Sequence, residues 1–319
     1  MFKSKTNVDA AQSSLLMKKR ALEIVINFVR YFFLLALSYV VLFQLIYMIS
    51  YSIRPATDQY NPSVVWIPSM FTWDNFKIAM ESLDVFNAAW VSVWYSEVAG
   101  LIEVFICAVI AYGFARFEFK EKGLIFFLLL ITIIVPHQML VVPMYLNFQH
   151  FDVLGIGNLI NNLTGVDLRP NLLNTAWTFY LPSLFGVGVR SGLFVFIYRK
   201  FFEGLPRELE EAAYVDGAGP LRTFLSVILP SSGVVFLTVT IFSCIWHWNE
   251  SYLSSMYMTD AKPLAVMLES FSSSARVNGG DTRMSRMAAC LLFILPMLVL
   301  YMILQRKFVQ SIDRVGIVG

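Results

Sequence analysis

From residue 31 to residue 53 the chain carries no charged side chain. A bilayer core about 30 Å thick is crossed by about 20 apolar residues in a helix. Lipid offers no partner to an open peptide group, so such a run must close its own hydrogen bonds as a helix. This stretch limits the chain more than any single motif, and comparable runs follow at roughly 88–114, 123–145, 176–198, 232–252 and 288–304. Together they predict an all-α membrane protein of six transmembrane helices. Only 14% of the residues are charged, against about 25% in an ordinary soluble domain, and 57% are hydrophobic.

The remaining composition excludes several classes. A net charge of +2 with no basic stripe gives no nucleic-acid surface. Cys107, Cys244 and Cys290 fall inside apolar runs at no metal or redox spacing, and read as small packing residues. Residues 1–27 are polar and mixed in charge, and the first apolar run is longer than the core of a cleavable signal. That run is expected to stay as an anchor, with 1–27 as a cytoplasmic tail or interfacial helix and 28–319 as one six-span domain. Sixteen lysines and arginines fall on the side of the N-terminus and seven on the other. Positive residues accumulate in cytoplasmic loops, so both ends are expected inside the cell.

One polar segment stands out against this background. Residues 205–230 lie between the fourth and fifth runs, on the expected cytoplasmic side. Pro206 suits the start of a helix, and Glu208, Glu210 and Glu211 suit its positive N-terminal end. Leu209, Ala212, Ala213 and Val215 can form a small apolar face. Gly217 is a stop residue, and Gly219-Pro220 prevents smooth continuation. Pro220 can start a second helix with Leu221, Phe224, Leu225 and Ile228 on one face, closed by Pro230. The expected shape is helix, sharp bend, helix.

Within it, Glu211-Ala212-Ala213, Asp216-Gly217-Ala218, Phe224 and Ile228-Leu229-Pro230 stand at fixed spacing. They resemble the EAA loop of the permease subunits of binding-protein-dependent ABC importers, in the EAAxxDGA form of carbohydrate importers. Val234 departs from the pattern, where many relatives carry a further proline. The resemblance extends along the chain. Pro68, Thr72, Asn75 and Phe76 precede the second run. Ala111-Tyr112 with Ala115-Arg116 closes it. Pro136 and Pro143 flank His137-Gln138 in the third, and Leu154-Gly155 with Asn158 follows. Gln305-Arg306 with Phe308-Val309 lies near the end. There Ser311 replaces a glycine and Val318 a lysine, which puts in doubt the contact of this tail with the ATPases seen in maltose-importer relatives.

The resemblance implies a type I ABC importer permease fold with a cytoplasmic coupling helix. It also implies a location in the bacterial plasma (inner) membrane, crossed several times. The implied partners are a second homologous permease, two cytoplasmic ATPase subunits and an extracellular or periplasmic substrate-binding protein, with a carbohydrate substrate. The chain has no GxxxxGK[ST] loop, so any ATP is used by the partners, and no cofactor is expected on this chain. No hydrolase or metalloenzyme motif is present, and the chain is not read as an enzyme.

Other residues keep two readings. Arg116 fits the family turn or a snorkelling arginine at a span end. The two prolines of the third run fit a hinge or a kinked exit. Charges inside spans are costly and often functional. Glu97, Glu103 and Arg190 could line a hydrated path, or form interhelical salt bridges or sit near the interface. Trp246, Trp248, Asn249 and Glu250 could contact a sugar, whose C–H faces suit aromatic rings, or form an interfacial belt or a packing feature. Glu97 with these four is the candidate translocation path. Two rival functions remain: an ion- or proton-coupled carrier using Glu97 and Glu103, or a membrane scaffold whose loop binds a cytoplasmic protein.

Overall fold

The computed structural model describes the backbone of residues 3–62, 64, 66–152, 155–274 and 282–315, and the side chains of 19–20, 22–58, 61–62, 64, 66–152, 155–271 and 283–306. Leu154 and Val318 of the sequence motifs lie outside the described residues, as do the side chains of Phe308, Val309 and Ser311. The described residues form helices and connecting turns, with no strand among them. In chain order the helices are α1 (Lys3–Ser52), α2 (Asp74–Leu83), α3 (Val85–Arg116), α4 (Lys122–Ile134), α5 (His137–Gln149), α6 (Ile156–Thr164) and α7 (Trp177–Leu184). They continue with α8 (Ser191–Glu203), α9 (Glu208–Val215), α10 (Pro220–Ser231), α11 (Gly233–Trp248), α12 (Tyr252–Tyr257), α13 (Leu264–Ser274) and α14 (Thr282–Val315).

Three of these stretches, Leu22–Ser52, Val85–Arg116 and Arg283–Arg306, are long and apolar enough to cross a membrane alone. Two bent pairs raise the number to five if each pair is one span: α4 with α5, bent by 95°, and α10 with α11, bent by 83°. The first bend falls at Val135-Pro136, where proline has no N–H to continue the ladder. The run at 176–198 was expected as one helix. It is instead broken between Leu184 and Ser191. Pro182 weakens the end of α7, and Gly186 (φ +68°) and Arg190 (φ +67°) take left-handed conformations that no helix continues through. At the N-terminus, α1 runs unbroken through residue 27, so the expected tail boundary lies inside a helix.

α3 is the centre of the arrangement. Its apolar window is 56% buried, against 0% for α1 and 11% for α14, which are peripheral. Cys107, Ala108 and Ala111 are fully buried on α3 and allow α8 and α11 close approach. Phe194, Tyr198 and Phe202 of α8 fill the space beside them, with Val235 and Val239 of α11. α14 packs against α1, α2 and α11. α3 contains one π turn, Ser92–Glu97, which widens the helix and leaves backbone groups to outside partners. The Tyr180 hydroxyl donates to the Trp94 carbonyl, and the Leu264 N–H donates to Ser92 Oγ at 2.8 Å.

Candidate functional site

The polar segment at 205–230 folds as two short helices, α9 and α10, joined by a tight bend. The bend is a Schellman motif: the Ala218 N–H donates to Ala213 O at 2.9 Å and the Gly217 N–H to Tyr214 O at 3.0 Å. Gly217 sits at φ +79°, where a Cβ would be strained, so the expected stop residue is the stop. Pro220 starts α10, as its fixed φ and missing N–H suit it to do. α10 contains a π turn, Phe224–Ile228, before the sharp turn at Ser232 into α11.

α9 divides its side chains between two environments. Glu210 and Ala213 are buried. Leu209, Glu211, Ala212, Val215, Asp216 and Gly217 are exposed, Val215 at 88%, and Ala218 is half-buried. Of the four residues expected on one apolar face, only Ala213 turns inward. The inward face is set by a charge pair across the fold. Arg116, the last residue of α3, places Nε 2.5 Å from Glu210 Oε1, with both side chains 7% exposed. Arg116 Nη2 also donates to Leu205 O at 3.0 Å, and the Tyr112 hydroxyl to Glu210 Oε2 at 3.3 Å. Glu211 borders an open groove lined also by Phe117, Arg207 and Tyr214.

α10 is held by apolar packing. Phe224 and Ile228 are 1% and 0% exposed, and the Phe224 ring lies 5.1 Å from Tyr112 and 6.3 Å from Phe202. Leu221 and Leu225, expected on the same stripe, are exposed. Leu229 is half-buried against the same core and Pro230 is exposed. The segment is thus tied firmly to α3 and α8 on its inner side. It presents an acidic and apolar face outward.

Among the described residues, the candidate path residues line none of the cavities at α4–α5, α7–α12 or α9. Glu97 lies in the π turn of α3 with Oε1 buried and its carboxyl beside the Cys244 thiol. Trp246 stacks on Phe194 at 5.5 Å and on Phe242 at 5.6 Å, and Arg190 lies over its ring at 5.7 Å. Trp248 is 3% exposed and its Nε1–H donates to Phe293 O at 3.0 Å, toward α14. Asn249 caps α11 through Ile245 O at 2.6 Å. Glu250 accepts the Leu253 N–H at 2.9 Å, and its Oε2 stands 3.8 Å from His137 Nε2 at the bend between α4 and α5. A cavity between α5, α7, α11 and α12 is lined instead by His137, Met144, Phe179, Gly188, His247 and Tyr257, among others. Sequence reasoning missed His247 there, and it missed the Arg116–Glu210 pair, since neither has a local sequence signal.

The described residues form a helical body with apolar helices long enough to cross a membrane and one short helix turned outward at its end, the form of a membrane-spanning protein. The chain belongs to the family of binding-protein-dependent transport system inner membrane components, whose model matches residues 104–314. It is 26% identical over 292 residues to the probable ABC transporter permease protein YurM of Bacillus subtilis, covering 91% of this chain and 86% of the relative. It is 24% identical to the arabinooligosaccharides transport system permease protein AraQ of Halalkalibacterium halodurans, over 89% of this chain and 93% of the relative. It is 28% identical to the melibiose/raffinose/stachyose import permease protein MelC of Bacillus subtilis, over 80% and 84%. The fold is similar to the crystal structure of a bacterial ABC transporter involved in the import of the acidic polysaccharide alginate. The TM-score is 0.68 with 20% identity, over 89% of this chain and 96% of that one.

Proposed function

We propose that this chain is one of two related membrane-spanning subunits of an ATP-driven importer, and that it carries a sugar or oligosaccharide into the cytoplasm by alternating access. The observation that carries this reading is the division of α9. One face is locked to the body by Arg116–Glu210, and the other exposes Leu209, Glu211, Ala212 and Val215. A partner that moves α9 therefore moves α3 and α8 with it. The partners of this reading are two cytoplasmic ATPase subunits, a second permease and an external binding protein. The topology is six spans with both ends in the cytoplasm, the break at 185–190 being an interruption within the fourth. ATP is used by the ATPases and none is held here. The carbohydrate class rests on the substrates for which the relatives are named, which include arabinooligosaccharides and melibiose, raffinose and stachyose.

The test is uptake of labelled oligosaccharides by vesicles holding the complete importer. Uptake that requires ATP, the ATPase subunits and the binding protein is the expected result. Uptake driven by an ion gradient without the ATPases would establish the secondary-carrier reading instead.

A further inference from the structure

Inside the membrane-spanning body, α3 carries a fully buried carboxylate, Glu103. Its Oε1 accepts the hydroxyl of Ser191, the first residue of α8, and its Oε2 lies 3.2 Å from Nε2 of His247 on α11. His247 is held from its other side, with Nδ1 3.0 Å from Ser243 O and 3.3 Å from Ser243 Oγ. Ser243 Oγ in turn donates to Gly100 O at 3.1 Å, back on α3. The Cys107 thiol donates to Ser191 O at 3.7 Å. Gly188, in the break between α7 and α8, passes directly over the carboxylate, where an added Cβ would stand 3.0 Å from Glu103 Cδ. One carboxylate on the central helix thus bonds α8 through Ser191 and stands directly against α11 and the broken connection.

Those two helices bracket the coupling segment. α8 ends at Glu203, just before α9, and α11 begins at Gly233, just after α10. Glu103 and Arg116 are separated by about 20 Å along α3, at about 1.5 Å per residue. At one end of this strut Arg116 holds α9, and further in Glu103 holds the helices on either side. A buried ionisable group in a membrane persists where it has a task or a full set of partners. Here the set is incomplete: Glu103 Oε2 faces His247 Nε2 without satisfying hydrogen-bond geometry. Packed interfaces switch between discrete arrangements more readily than they deform continuously.

We propose that Glu103 is a positioning residue of the transport cycle, tying α8 and α11 to α3 through Ser191 and His247, so that displacement of the coupling segment becomes relative movement of these helices. The inference rests on the ATP-driven reading above. The test measures sugar taken up per ATP hydrolysed by the complete importer in vesicles. Glu103→Gln keeps the shape and replaces one carboxyl oxygen by an amide that cannot ionise. It is expected to leave assembly and hydrolysis in place and to lower the uptake-to-hydrolysis ratio about tenfold, within the range of ordinary coupling between linked sites. Ser191→Ala is expected to lower the same ratio less. The double variant Glu103→Gln with His247→Gln, whose amides can pair, is expected to recover part of the loss, which shows that the two side chains act as a pair. If Glu103→Gln fails to assemble, Ser191→Ala decides. A ratio unchanged in the assembled variants, or uptake and hydrolysis falling in parallel, overturns the proposal. Absence of ATP-driven uptake by the unmodified importer would refute the transport reading itself, and the proposal with it.

Discussion

Arg116 and Glu210 meet 2.5 Å apart across 94 positions of sequence, at the point where α3 ends and α9 begins. Both are almost fully buried, so removal of one leaves the other charged and unpaired. Glu210→Ala and Arg116→Ala are each expected to destabilise the protein by about 3–5 kcal/mol, the usual cost of breaking a buried ion pair. The double variant Arg116→Gln with Glu210→Gln is expected to cost less than the two single changes added together. Thermal unfolding of the purified importer in detergent measures all three.

Gly217 tests the bend. Gly217→Ala is expected to cost about 1 kcal/mol, because φ +79° suits glycine and nothing stands within 4 Å of the added Cβ. Gly217→Pro also deletes the N–H donated to Tyr214 O and cannot adopt a positive φ. It is expected to leave membrane insertion intact and to uncouple uptake from ATP hydrolysis, as is Glu211→Lys on the exposed face. Uptake and hydrolysis assayed in parallel check both, and unchanged uptake in both variants would sink the coupling role.

Within α10, burial separates anchor from surface. Phe224→Ala is expected to cost about 3–5 kcal/mol, since the ring is buried among Tyr112, Phe202 and Phe105. Leu221→Ala, at a position 65% exposed, is expected to change stability by less than about 0.5 kcal/mol. Denaturation of the two variants side by side separates these outcomes.

The α11 tryptophans are expected to act in packing. Trp248→Phe loses the hydrogen bond to Phe293 O, at a cost of about 1 kcal/mol, without changing which sugar is preferred. Competition between sugars for uptake by this variant is the check. An altered order of preference would return Trp248 to the translocation path.

What the sequence made legible was local. Gly217, Pro220 and the triplet of glutamates at the start of α9 act on neighbours a few residues away, and their roles follow from backbone rules alone. The choice between Glu210 and Glu211 does not. Both suit a helix N-terminus, and only the approach of Arg116 turns Glu210 inward. The same holds within the membrane, where Glu103 could be weighed as a costly charge but not matched to Ser191 and His247. The run at 176–198 has the apolarity of a span throughout, and hydropathy does not register the left-handed turns at Gly186 and Arg190 that break it.

The central claim is that the outward face of α9 is gripped by a cytoplasmic ATPase. Val215→Cys places a thiol at a position 88% exposed on that helix, while Cys107 and Cys244 are buried and the half-buried Cys290 is replaced in the same chain by Cys290→Ser. Thiol cross-linking of this variant in membranes containing the complete importer is expected to join the chain to an ATPase subunit bearing an engineered cysteine in its docking groove. No adduct from Val215→Cys, in an importer that still takes up sugar, would contradict the account.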